Sequence, residues 1–316
     1  MFRIVFLVTI LSAGITLVGT PHLQADDSIL DGKKRVVFLG DSNTFAGTYV
    51  AYVEAVLRQH HNVQEVEILN VGLSSETTSG LSEPDHPFPR PTVHERLDRV
   101  LAKMKPDLVI AGYGINDGMY YPFSKERFAK FKAGIKLLVK KAKASGADVV
   151  LLTPSPFDPT PQRKQGKLRP EGSDKYAWFG VFENYDDVMA QYAEWILTQK
   201  DDVEAVVDIR APLVSRVEKE RATDPSFSLS GDGVHFVEEG HRIVAKAIVE
   251  KLGFDYRKPD AEVLKLVTQK QKILRDAWLT ETGHKRPGIK PGLPIDQAKK
   301  KATGLDSAIM MRIRNG

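Results

Sequence analysis

The chain has 316 residues, 42% hydrophobic and 27% charged, an ordinary globular composition with material for one large domain plus additions. A formal net charge of +4 is small for this length, and no zinc knuckle, aromatic RNA platform or basic recognition helix accompanies it, so no nucleic-acid partner is expected. With no cysteine the chain forms no disulfide and offers no thiol for lipid attachment.

At the start, Arg3 precedes a short apolar run over 4–18, and Leu23 and Ala25 fit the −3 and −1 positions of a cleavage site ahead of Asp26. Charge, apolar core and small residue in that order predict a signal peptide over 1–25. Export to a bacterial periplasm or exterior follows, with no stable membrane span after cleavage.

From residue 26 onward, apolar runs alternate with amphipathic stretches, the pattern of a mostly parallel sheet with helices on both faces. Strands are predicted at 35–39, 66–70, 108–112, 149–153 and 203–208, which makes one doubly wound domain. The first strand stops at Gly40 and runs through Asp41-Ser42 towards a helix over 49–59. A serine there sits at the carboxyl end of a parallel strand with its amide at a helix N-terminus. It can attack a carbonyl, and its own N–H can hold the oxyanion that results.

The second strand runs into Gly72, whose amide could serve the same oxyanion because a residue without Cβ permits close approach. A polar, proline-rich loop over 74–91 follows, and then Thr92 and Glu95 form a capping box for a helix to about 105. The third strand leads into Gly114-Ile115-Asn116-Asp117, where the Asn116 side-chain amide is a third potential donor. Each of these pieces, taken singly, also reads as a turn. Ser124 caps a lysine-studded helix that closes at Gly146.

The stretch 154–182 carries five prolines with Tyr176, Trp178 and Phe179, and is expected as an irregular, substrate-facing rim with Tyr176 and Trp178 as platforms. Packing of Trp178 on the domain is the alternative. Further on, Asp232 and His235 stand three apart, so a helix-like turn would bring them to one face. The carboxylate can then hold Nδ1–H and leave Nε2 to take a proton from a serine. The other histidines have no metal-ligand spacing, so neither metal nor cofactor is expected. Helical segments over 261–279 and 295–314 flank a break at 283–288, and lack a core of their own. They are expected as an extension, 254–316, packed on a domain spanning 26–253. Their cations, including Lys285, Arg286, Lys290 and Lys299 to Lys301, read as a solvated face or a surface for an anionic polymer.

Gly40-Asp41-Ser42, Gly72, Gly114-Ile115-Asn116-Asp117 and Asp232-Gly233-Val234-His235, in that order, resemble the four motif blocks of the SGNH/GDSL hydrolase family. The resemblance spans about 35–252 and implies a flavodoxin-like three-layer α/β/α fold. It further implies Ser42 as nucleophile, His235 as base, Asp232 as its orienting partner, and an oxyanion hole from Ser42, Gly72 and Asn116. The expectation is a secreted serine esterase that removes short acyl groups such as acetate from carbohydrate, its partner a small-molecule or polysaccharide ester. A lipase-like or thioesterase activity is the runner-up. A non-catalytic polysaccharide-binding protein on the same scaffold is the third reading.

Overall fold

The computed structural model describes residues 28–60 and 63–315, so the expected signal peptide lies outside the described residues. Strand β1 (Arg35–Gly40) leads into a short helix α1 (Ser42–Ala46) and α2 (Thr48–Leu57), followed by β2 (Glu67–Asn70), α3 (Leu97–Met104), β3 (Leu108–Gly112), α4 (Lys125–Ala144) and β4 (Asp148–Leu152). Next come α5 (Pro159–Lys164), β5 (Leu168–Arg169), β6 (Val181–Phe182), α6 (Tyr185–Leu197), β7 (Ala205–Val207), α7 (Arg210–Arg221), α8 (Glu238–Lys251), α9 (Ala261–Thr282) and α10 (Ile295–Asn315). The main sheet is parallel, in the order β2-β1-β3-β4-β7.

Two-residue alternation sets the layers. Val37 and Leu39 of β1 enter a core with α3, α4 and α6, whereas Val36 and Phe38 enter a second core with α2 and α8. Both faces are therefore covered, as a parallel sheet requires. The order reverses between β1 and β3, and an open parallel sheet opens its crevice at the carboxyl ends of those two strands. Among the described residues no helix is long and apolar enough to cross a membrane.

Two local expectations are corrected. Thr92 makes no capping hydrogen bond: its Oγ1 is buried without a partner among the described residues, and a 3₁₀ turn, Val93–Glu95, precedes α3. Glu95 instead pairs with Arg99 one turn on. The stretch 154–182 is not irregular throughout, since it holds α5 and a two-stranded parallel ribbon of β5 and β6. Asp158 caps α5 by accepting from Thr160 N, and Pro159 occupies a first-turn position where no N–H is needed.

Helix α9 lies against the sheet edge, and α10 packs on α9. Gln271 of α9 donates to the Ile68 carbonyl of edge strand β2 at 2.8 Å and to the buried Glu54 of α2 at 2.5 Å. Lys270 reaches the same carboxylate from a site only 2% exposed. Covering an edge strand satisfies its outward carbonyls and blocks pairing with another chain.

Candidate active site

Gly40 and Gly112 lie side by side in the sheet, and a Cβ on Gly40 would meet Thr44 Oγ1 at 2.0 Å and Gly112 O at 2.8 Å. The chain can turn sharply into α1 because nothing projects there. Asp41 caps α1 by accepting from Asn43 N at 3.1 Å, and Ser42 opens the helix. Burial pushes the Asp41 carboxyl up to about 6.

The loop carrying His235 is clamped to α1 by Asn43. Its Nδ2 donates to Val234 O at 3.0 Å and its Oδ1 accepts from Phe236 N at 3.1 Å, gripping the backbone on both sides of the histidine. Asp232 organises the same loop from within, though as a carboxylate-closed turn and not a helical one: Oδ1 accepts from Val234 N at 2.9 Å and His235 N at 2.8 Å. Its Oδ2 stands 2.6 Å from His235 Nδ1, and His235 Nε2 stands 2.9 Å from Ser42 Oγ. A carboxylate only accepts, so Nδ1 carries the hydrogen and Nε2 presents a lone pair to the serine hydroxyl. The hydrogen bond that Nδ1 donates to Asp232 raises the His235 pKa above its ordinary 6.5, and the Asp232 carboxyl is held far below the usual range by the hydrogen bonds it accepts from His235.

That shift fixes a pH dependence. An imidazole accepts a proton only when neutral, so an esterase that uses His235 as its base should lose kcat/KM as pH drops through a value above 6.5. The pH profile of Asp232→Asn should show its acid limb moved to lower pH and a plateau on the order of 10⁴-fold lower. An unmoved limb would mean that another group sets it.

Asn116 is buried and lines the same cleft as Ser42 and His235. Its Oδ1 accepts from Arg90 Nη1 at 2.9 Å and from the Tyr120 hydroxyl at 3.0 Å. Arginine can only donate, so the amide orientation is fixed with Nδ2 on the far side. One Nδ2 hydrogen goes to Glu76 O at 3.2 Å, and the other has no partner among the described residues. Asp117 ties this loop to the neighbouring one by accepting from Thr78 N and Ser79 N at 2.9 and 2.8 Å.

Gly72 is not where an oxyanion donor has to be. Its N–H is spent on Asn70 Oδ1 at 2.8 Å, and a Cβ on it would meet Phe45 N at 2.5 Å and Thr44 Cβ at 2.6 Å. The missing side chain serves the close approach of α1. Three residues further on, Ser75 lines the cleft with a left-handed φ of 67° and an amide that donates to no group of the described residues. Its carbonyl lies 3.4 Å from Arg90 Nη1.

Of the two expected platforms, Trp178 is half exposed at the cleft, and Tyr176 is buried. The Tyr176 hydroxyl donates to Pro170 O at 2.7 Å and its ring packs on Tyr121, so it props the rim from behind. The cleft, of about 310 Å³, also takes in residues with no motif to announce them: Ser75, His86, Phe88, Arg90, Tyr120 and Arg286. Arg90 forks onto the buried Glu83 at 2.5 and 2.6 Å, a pairing across a proline-rich loop that sequence spacing does not reveal.

A serine, imidazole and carboxylate in line at the crevice of a doubly wound sheet define the class of ester-hydrolysing serine hydrolases. The GDSL-like lipase/acylhydrolase family model matches residues 38–243, about two thirds of the chain, and the chain belongs to that family. It is similar to an acetylxylan esterase of Geobacillus stearothermophilus, 25% identical over 245 residues that cover 75% of this chain and 96% of that one. A solved structure of a catalytic mutant of Axe2, an acetylxylan esterase from the same organism, shares the fold with a TM-score of 0.51, 23% identity, and coverage of 70% of this chain and 95% of that one. A gut microbial diltiazem-metabolizing enzyme shares it with a TM-score of 0.55 and 21% identity over 70% of this chain. The present chain spans only 47% of that enzyme's length.

Proposed function

We propose that this esterase removes short acyl groups, acetyl in the first place, from carbohydrate, through Ser42 as nucleophile, His235 as general base and Asp232 as the residue that orients it. The observation that carries the reading is the continuous hydrogen-bond chain from Asp232 through His235 to Ser42, at 2.6 and 2.9 Å, opening on the cleft. Ser42 Oγ attacks the ester carbonyl as His235 takes its proton, the tetrahedral oxyanion collapses to an acyl-serine as His235 passes that proton to the leaving alcohol, and water, deprotonated in turn by His235, attacks the acyl-serine and releases the acid as the proton returns to Ser42 Oγ. The Ser42 amide, the free Nδ2 hydrogen of Asn116 and the Ser75 amide hold the oxyanion, Ser75 taking the place given to Gly72 on sequence alone.

Acetate suits the cleft because the buried polar side chains of Asn116 and Arg90 line it together with Ser42 and His235, and a long alkyl chain laid on them would cover polar groups without offering a hydrogen bond. The acetylxylan esterase relative supports carbohydrate as the acyl carrier. Cleavage after Ala25 and export complete the proposal. Rates on p-nitrophenyl esters from acetate to palmitate test the acyl part. Acetate should lead the series, and a maximum at eight carbons or more would transfer the assignment to a lipase-like activity.

A further inference from the structure

Arg286 lies beyond the stretch matched by the family model, in the break between α9 and α10, yet it lines the same cleft as Ser42 and His235. Its Nε donates to Ser74 O at 3.1 Å, its Nη1 donates to Pro287 O at 2.6 Å, and its guanidinium carbon stands 5.1 Å from the centre of the Phe88 ring. Two carbonyls and an aromatic face hold the group in place without neutralising it.

Among the described residues no carboxylate pairs with Arg286, its Nη2 has no hydrogen-bond partner, and no Asp or Glu lines the cleft. The cleft's other arginine, Arg90, is already neutralised by Glu83. Burial lowers the Arg286 pKa, as it does for a cation that has lost water and gained no anion. Fixing and partly desolvating a guanidinium costs free energy, and a bound anion offsets it by a charge-assisted, forked hydrogen bond.

His86, beside it, is not a second cation. Its Nδ1 lies 2.5 Å from Phe88 O, and since a carbonyl only accepts, Nδ1 carries the hydrogen and Nε2 is an acceptor. Burial and then the Arg90 and Arg286 charges lower its pKa and keep it neutral. An acceptor for a sugar hydroxyl, an aromatic edge at Trp178 and one unpaired cation thus surround the ester site.

Building on the esterase reading, we infer that Arg286 binds an anionic group on the same sugar as the scissile ester, which makes acylated acidic carbohydrates the preferred substrate class. The Ser74 carbonyl that anchors Arg286 and the Ser75 N–H proposed for the oxyanion are the two ends of one peptide unit, which ties the cation to the ester site. Carboxylate and sulfate share the chemistry.

The test is steady-state kinetics on three acetylated probes: methyl glucopyranoside, the corresponding glucuronic acid with a free carboxylate, and the 6-sulfate, with p-nitrophenyl acetate as the esterase control. Wild type should favour an anionic probe over the neutral one by about tenfold in kcat/KM, expressed in KM, as expected for a charged hydrogen bond. Arg286→Gln should abolish the preference and Arg286→Lys should retain part of it, both with unchanged unfolding midpoints. The anionic probe with the larger ratio identifies the source. Equal rates on neutral and anionic probes, or a preference that survives Arg286→Gln, overturn the inference alone when p-nitrophenyl acetate is hydrolysed. Inertness towards every ester overturns the esterase reading and this inference with it.

Discussion

Ser42→Ala is expected to lower kcat on p-nitrophenyl acetate by a factor on the order of 10⁴ to 10⁶, and His235→Ala by a similar factor. The two losses should not multiply. Without Oγ there is nothing for His235 to deprotonate, and without the imidazole 2.9 Å away Ser42 is an ordinary alcohol, so the double variant should be about as slow as either single one. What survives is the work of the proposed oxyanion donors, and the folded state should be little altered because the change removes a single hydroxyl from a half-buried residue. Matched unfolding curves with lost turnover would separate chemistry from stability. A Ser42→Ala protein that kept a tenth of its rate would place the nucleophile elsewhere.

The parts of this site that were legible before the structure are those written in short stretches. Strand, turn and helix periods place Ser42, Asn116 and the Asp232–His235 pair at strand ends or loops, because a local pattern of apolar spacing and glycine fixes local backbone. The donors and props that escaped notice work across long separations. Asn43 reads as one more turn residue beside Ser42, and only the fold brings Val234 and Phe236 to its amide. Arg90 reads as a charge in a loop, and only the fold turns it onto Asn116. Gly72 misled for a physical reason: absence of a side chain marks a close approach without saying which neighbour approaches. Here the neighbour is α1. The left-handed backbone at the cleft belongs to a serine and a tyrosine, Ser75 and Tyr120, and nothing in their residue types announces it.

The second large effect concerns stability and falls on Arg96. This side chain is 1% exposed and forks onto the fully buried Glu76 at 2.7 Å through both Nε and Nη2, with a further bond to Val71 O. Tyr113 adds a hydroxyl to the same carboxylate at 2.7 Å. Arg96→Met removes the cation and leaves the carboxylate in the core with the tyrosine as its remaining side-chain donor. Breaking a buried pair in this way costs about 3–5 kcal/mol, enough to lower the unfolding midpoint by roughly ten degrees. Replacing both partners, as Arg96→Met with Glu76→Leu, should recover much of that loss, because the penalty lies in the abandoned charge. Activity should not recover with it. Glu76 follows Ser75 and gives its carbonyl to Asn116, so repacking this point shifts two of the proposed oxyanion donors together. Thermal unfolding and kcat measured on the same three variants separate the two roles. A single variant less than about 1 kcal/mol below wild type would mean that water or a shift in protonation relieves the stranded carboxylate.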